Sequence, residues 1–367
     1  MSGWGLLSLL DQEHSVMVLE ELKRILYWPI GVIKAYNRSK KRKAYPEEPV
    51  RVFLLNIPSH GNLGDHLISV VEQDFLKEIC PEKRVLLVTS ADLYFSWRIA
   101  LAFVRKEDIL CITGGGFMGS LYGDEGRILA IIRKYRYNKI IFFPQSFYYE
   151  KTPSGLKKTA KAARTLSMHK NLFVMTRDKT SYELVRNVLM RMAKERVFLV
   201  PDITLYAHYP LDRHREGVLW CVRNDAESLM KNEVLIETIS KNLSSSCLNQ
   251  RSTDTYSPYP IPEEEERNKV FAKLTEFAST QLVITDRLHG MILSAITDTP
   301  VIALDNISKK ISQTYTLWLS NNPFIQFCDD PSSMAEVIDS LLHQKNNQFD
   351  NKALWTYYQP LINAINN

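Results

Sequence analysis

An arginine followed two residues later by a histidine, where an apolar strand turns into a helix, can grip an anion and hand it a proton. In this chain the pair is Arg287 and His289, within Thr285-Asp286-Arg287-Leu288-His289-Gly290, directly after the apolar run Leu282-Val283-Ile284. Helix N-termini gather anions because their unpaired N–H groups and the helix dipole point the same way. A guanidinium there can hold a carboxylate or phosphate with two parallel hydrogen bonds. An imidazole within reach can act as a general acid. The motif predicts a site for a small, highly charged anion that must be protonated to react.

Other strand ends carry related chemistry, and the C-terminal ends of strands are where open α/β sheets bind ligands. His60-Gly61-Asn62-Leu63-Gly64-Asp65-His66 sets two glycines around Asn62 just before a helix. Backbone can then approach a ligand while Asn62 and Asp65 project into a cleft; the structural alternative is a plain glycine-rich turn. Thr113-Gly114-Gly115-Gly116-Phe117-Met118-Gly119 offers a flat backbone surface, a platform for an anion or a sugar. It lacks the Gly-Lys-Ser/Thr of a Walker A loop. Thr176-Arg177-Asp178-Lys179-Thr180-Ser181 sends Arg177 out of a buried strand, with Asp178 placed to cap the next helix. Pro201-Asp202 puts a further carboxylate at a strand end. Arg177 and Arg287, one from each half of the chain, would clamp an anion across a cleft, each contact contributing about 1.5–3 kcal/mol.

Among the eight histidines, His289 is the first catalytic candidate, and His60 and His66 come next. His14, His169, His208, His214 and His343 read as surface residues. No HExxH, nucleophile elbow, kinase signature or aspartate-rich metal loop occurs, so neither a metal site nor covalent serine chemistry has support in the sequence.

The elements that must position these residues alternate. Nearly continuous apolar runs at Arg51–Ile57, Arg84–Val88, Ile109–Thr113, Lys139–Phe143, Asn171–Thr176 and Arg196–Val200 predict parallel strands covered on both faces. Helical stretches lie between them, around Leu67–Ile79, Arg127–Tyr137 and Thr180–Met192. Further strands are expected at Gly217–Val222, Leu282–Thr285 and Pro300–Leu304, with helices after Ile284 and near Ser333–Leu342. The expected fold is α/β: two Rossmann-like domains, at 46–208 and 209–345, facing one cleft, each a parallel sheet with helices on both faces. Residues 243–262, rich in Ser, Thr, Asn and Pro, read as a long loop, and Glu263–Glu266 as acidic capping of a helix start. Residues 346–367 are expected to form a helix that packs back on the body.

A length of 367 residues suits two domains, and 45% hydrophobic with 24% charged residues describes an ordinary globular protein. The net charge of +5 allows an anionic substrate or a membrane surface and gives no mandate for nucleic acid. The five cysteines lack metal-ligand spacing, and Cys111 and Cys221 sit in apolar runs as buried thiols, which fits a reducing compartment. No secretory signal and no run near the roughly 20 apolar residues of a membrane span is found, so a cytoplasmic protein is expected. Residues 1–45 stand apart. Apolar residues recur with a helical period from Val16 to Ile33, and Arg38-Ser39-Lys40-Lys41-Arg42-Lys43 follows. Such a segment can lie on a membrane surface or pack on the body.

Taken together, GNLGD at 61–65, TGGG at 113–116, PQS at 144–146, TRDKTS at 176–181, PD at 201–202 and TDRLHG at 285–290 resemble the polysaccharide pyruvyl transferase family. The resemblance runs from about Val52 to Ile311, and TDRLHG with the following Leu304-Asp305-Asn306 and Lys309-Lys310-Ile311 is its most specific part. The family often continues the triple glycine with Asn-Phe-Gly-Asp, whereas this chain has Phe117-Met118-Gly119-Ser120. Members are similar in architecture to two-domain GT-B glycosyltransferases. They move the enolpyruvyl carbon of phosphoenolpyruvate onto two hydroxyls of one sugar, forming a cyclic ketal. The resemblance implies Arg287, Arg177, Gly115 and Gly116 at the phosphoenolpyruvate, His289 as the acid and Asp65 as the carboxylate near the reacting hydroxyl. It implies Asn62, His60 and Asp202 at the acceptor, and neither metal nor redox cofactor. The implied acceptor is a sugar of a capsular or exopolysaccharide repeat, carried on a lipid if the N-terminal segment meets the inner face of the membrane. Two rival expectations stand beside it: a GT-B glycosyltransferase using a nucleotide sugar, and a sugar-binding protein without activity.

Overall fold

Two parallel sheets carry the chain, because runs that are apolar along their whole length need cover on both faces. The structure, a computed structural model, describes residues 28–43, 49–223, 249–305, 309–329, 334–344 and 347–367. In the first sheet lie β1 (Arg51–Ile57), β2 (Arg84–Thr89), β3 (Ile109–Ile112), β4 (Gly115–Gly119), β5 (Lys139–Tyr148), β6 (Leu172–Thr176) and β7 (Val197–Leu199). Their order is β2-β1-β3-β5-β6-β7, with β4 beside the far half of β5. In the second lie β8 (Val218–Cys221), β9 (Gln250–Thr253), β10 (Leu282–Thr285), β11 (Val301–Leu304) and β12 (Ile325–Cys328), ordered β12-β11-β10-β8-β9. All ladders are parallel. β1 is buried at every residue, as its unbroken apolar run requires.

Three strands differ from expectation. The triple glycine is not a loop platform. β5 is ten residues long, and it pairs β3 with Lys139–Phe142 and then β4 with Gln145–Tyr148. Gly115 and Gly119 take φ values of 119° and 126°, which only glycine adopts readily, so the strand kinks and continues. Gln250–Thr253 is an edge strand inside the expected 243–262 loop; its polar residues pair on one side only, so no apolar run marked it. β12 is an edge strand whose Gln326 and Phe327 are only half-buried, so no unbroken apolar run marks it. The expected helix at Thr180–Met192 is broken, with one α-helical turn and more at Lys179–Leu184 followed by a π segment and a 3₁₀ segment.

Residues 28–40 form a helix. Its buried positions Gly31, Ala35 and Ser39 recur at helical spacing and allow close approach: a Cβ on Gly31 would run into the Phe95 ring. Arg42 and Arg38 both pair with Asp92, at 2.9 and 3.0 Å. The larger side chains of this helix face outward, with Ile30 48% and Ile33 58% exposed. The rest of the expected 1–45 segment lies outside the described residues. No helix among the described residues is long and apolar enough to cross a membrane.

Helices Leu63–Ile79 and Glu266–Ala278 join the two halves. Glu266, expected only to cap its helix, is buried and meets His66 at 2.8 Å, while Arg267 forks onto Asp74. The C-terminal helix Gln359–Asn366 returns to the first half, where the Tyr358 hydroxyl donates to the Asp202 carbonyl at 2.7 Å.

Candidate active site

The C-terminal ends of both sheets face one cavity of about 920 Å³. Its walls include residues just past β1, β3, β6, β8, β9 and β10: Asn56 at the end of β1, then Thr113, Arg177, Arg223, Asp254 and Arg287. Ligands bind such crevices because strand ends and helix starts converge there.

Arg177 leaves β6 into this cavity and is almost fully buried. Its Nη1 donates to Asp202 Oδ2 at 2.5 Å and its Nε to Ser146 Oγ at 2.9 Å. Asp202 therefore does not stand at the acceptor, as the resemblance implies. It is 2% exposed, caps the 3₁₀ turn Ile203–Tyr206 through Thr204 and lies behind Arg177 and His289. Burial raises its carboxyl, but Arg177, His289 and Thr204 outweigh that and hold it below the usual carboxylate range.

His289 begins the helix Leu288–Ile296 with its Nε2 buried, 3.9 Å from Asp202 Oδ2 and without a hydrogen-bond partner. Burial holds the imidazole below its ordinary pKa; Asp202 opposes that, Arg177 adds to it, Asp65 opposes and Lys310 adds. These surroundings keep the ring neutral at neutral pH, and an incoming anion would favour the imidazolium.

Arg287 precedes that helix and donates from Nη2 to Asp254 Oδ2 at 2.7 Å. Asp286 accepts from the Arg223 backbone N–H at 2.7 Å, and burial pushes its carboxyl up to about 6. Lys310 reaches in from the second half, and Gly116 faces it: a Cβ there would lie 3.5 Å from Lys310 Nζ and 3.4 Å from Arg177 Nη2. Gly115 is buried in β4 and is not among the cavity-lining residues. Arg223 carries no sequence signal because it lies past the end of an unremarkable run, with no motif around it.

Asp65 lines the opposite wall, half-buried, 3.7 Å from His60 Nε2. Asn62 also lines the cavity, but its Oδ1 accepts from Gly64 N at 3.0 Å as the cap of the helix Leu63–Ile79. The glycines of this motif serve domain contact rather than ligand approach. A Cβ on Gly64 would strike the His289 ring, and one on Gly61 the Ser257 carbonyl. His66 is not catalytic in this geometry: its nitrogens face the His60 carbonyl at 2.7 Å and Glu266 at 2.8 Å, a buried latch between the halves. His169, expected at the surface, is buried as well. Behind the glycines, Glu72 accepts from Gly114 N and Thr113 Oγ1, both at 2.7 Å. Burial lifts its carboxyl to about 8 against those two bonds, so it is a neutral brace of the β3–β4 junction at neutral pH.

The site can thus hold a multiply charged anion between cations from both halves, beside one buried imidazole and opposite one carboxylate. The chain is also similar to several known proteins. General stress protein 30 of Bacillus subtilis is 29% identical over 339 residues, 90% of this chain and 96% of its own. Pyruvyl transferase 1 of Schizosaccharomyces pombe is 27% identical over 288 residues, 73% of this chain and 70% of its own. An uncharacterised protein of Klebsiella pneumoniae shares the fold at a TM-score of 0.52 with 18% identity, over 84% of this chain and 98% of its own. The family model for polysaccharide pyruvyl transferase matches residues 62–308, a span that holds Asp65, Gly116, Arg177, Asp202, Arg287 and His289. The chain belongs to the polysaccharide pyruvyl transferase family.

Proposed function

We propose that this protein transfers the pyruvyl unit of phosphoenolpyruvate to two hydroxyls of one sugar, closing a cyclic ketal and releasing phosphate. The observation that carries this reading is the set of cations in the cavity, where Arg177, Arg223, Arg287 and Lys310 line the same walls as His289, whose buried Nε2 has no hydrogen-bond partner. Phosphoenolpyruvate brings a phosphate and a carboxylate on three carbons, and both need cations. Its charge favours the imidazolium, so donor binding and acid formation are coupled. Proton transfer from His289 to the methylene carbon makes C2 oxocarbenium-like. The first sugar hydroxyl adds there, and Asp65 takes its proton. Cleavage of the bond from C2 to the phosphate oxygen regenerates the cation, the second hydroxyl adds, and its proton departs with phosphate. Solvent then returns a proton to His289 and removes one from Asp65.

The acceptor in this reading is a sugar of an exopolysaccharide or capsular repeat unit still carried on a lipid. Ile30, Ile33 and Tyr36, with Lys34 and Lys40, are exposed on one helix, and Lys41 is exposed in the turn after it. They would hold the chain against anionic lipid at the cytoplasmic face of the membrane. Replacing Ile30 and Ile33 together by Asp should abolish co-sedimentation with anionic vesicles; undiminished binding would refute this placement.

Thermal unfolding with phosphoenolpyruvate, set beside a panel of nucleotide sugars, tests the donor. A ligand at about 100 times its dissociation constant adds about 2.7 kcal/mol of stability. Phosphoenolpyruvate should raise the unfolding temperature of the wild type and fail to do so in Arg287→Ala. Protection by a nucleotide sugar in its place would make the chain a glycosyltransferase.

A further inference from the structure

The cavity is longer than the donor needs. Arg177 follows β6 and Asn56 ends β1, and β3 and β5 stand between those strands. Three strand spacings put the two ends roughly 14 Å apart, beyond the reach of a three-carbon phosphate ester. The chemistry at the far end is also different. Asn56, Ser59, Ser90, Tyr94, Tyr122 and Asp124 line it. Arg127, which also lines it, is paired with Asp124 and lies over the Tyr94 ring, 5.4 Å from the centroid. That end is polar, aromatic and balanced in charge.

Asn56 is built in a way that asks for an occupant. It sits where the register of β1 against β2 shifts, between Leu55 and Ile57, and its φ is 67°. Bulges at strand ends re-aim side chains, and left-handed backbone at a non-glycine residue costs free energy that the fold must recover elsewhere. The residue is only 6% exposed and its Oδ1 has no hydrogen-bond partner. A buried amide oxygen left unpaired is itself unfavourable. Behind Tyr94, the N-terminal helix braces the wall, with Trp28 edge-on to Tyr94 and Phe95 at 5.9 and 5.8 Å.

We infer that this end is a neutral-sugar subsite, in which a hexose ring lies against Tyr94 and Tyr122 and a ring hydroxyl donates to Asn56 Oδ1. An aromatic face suits the C–H face of a pyranose, and a few placed polar groups fix its orientation. Its role as the acceptor subsite rests on the pyruvyl transfer reading; the binding of the sugar does not.

The test is saturation transfer by NMR from the protein to the methyl glycosides of glucose, galactose and mannose, with and without phosphoenolpyruvate. At least one should receive saturation from the wild type. Asn56→Gly keeps the left-handed backbone, so its fold is preserved. It should weaken that sugar about tenfold while thermal protection by phosphoenolpyruvate stays at the wild-type value. Asn56→Asp, which keeps the acceptor, should bind the sugar better than Asn56→Gly. No transfer from any of the three glycosides, or equal sugar affinity in Asn56→Gly, overturns the subsite. Loss of phosphoenolpyruvate protection in Asn56→Gly would assign the residue to the donor end and overturn it too. Sugar binding without any response to phosphoenolpyruvate would leave the subsite standing and reject the donor reading.

Discussion

His289→Gln should lower kcat by about 10²–10⁴-fold, the range of a lost general acid, with thermal protection by phosphoenolpyruvate retained. The glutamine keeps a polar group beside Asp202 but cannot deliver a proton to carbon. The pH profile separates this role from a positioning one. His289 must be protonated to act, and burial holds it below its ordinary value of 6.5. The profile of kcat/KM should therefore fall with rising pH from an inflection below that value. The profile of kcat should fall at higher pH, because the bound donor's negative charge favours the imidazolium. Asp202→Asn removes the strongest influence that raises the ring, so both inflections should move toward acid. A kcat profile that stays flat through this range in the wild type would remove His289 as the acid.

The second large effect is on Arg177. Arg177→Met should abolish donor protection and cost about 3–5 kcal/mol of stability, because it leaves Asp202 as an uncompensated buried charge. Both side chains are nearly inaccessible and their contact is 2.5 Å, so solvent cannot replace the lost partner. Adding Asp202→Asn removes that charge while Oδ1 continues to accept from Thr204 N. The double variant should regain most of the stability by calorimetry and none of the donor protection. Such non-additivity is the signature of a directly coupled pair. If the double variant is as unstable as the sum of both single ones, the pair is not coupled. If it binds phosphoenolpyruvate, Arg177 is not a donor ligand.

The parallel sheets were legible because a strand covered on both faces writes its burial into consecutive residues, as Arg51–Ile57 does. The helix start carrying Arg287 and His289 was legible for a similar reason: strand, turn and helix follow one another directly from Leu282 to Ile296, and their chemistry is local. β4 and β9 were not, since a glycine-rich strand and a polar edge strand have no apolar pattern and exist only by pairing with β5 and β8.

What the sequence by itself determined is the set of short-range signals: apolar runs, caps such as Asp178 accepting from Ser181 N, and the residue types at strand ends. What only the tertiary structure decided is which of those residues meet. Asp202 reads as an acceptor contact until the fold sets it behind Arg177, and Glu266 reads as a cap until helix packing brings it to His66, 200 positions away. Lys310 and Arg177 share one cavity only because the two sheets face each other. A window of neighbouring residues records whether a segment is buried. It holds no record of its distant partners, because those contacts are set by the packing of whole elements whose spacing along the chain is arbitrary.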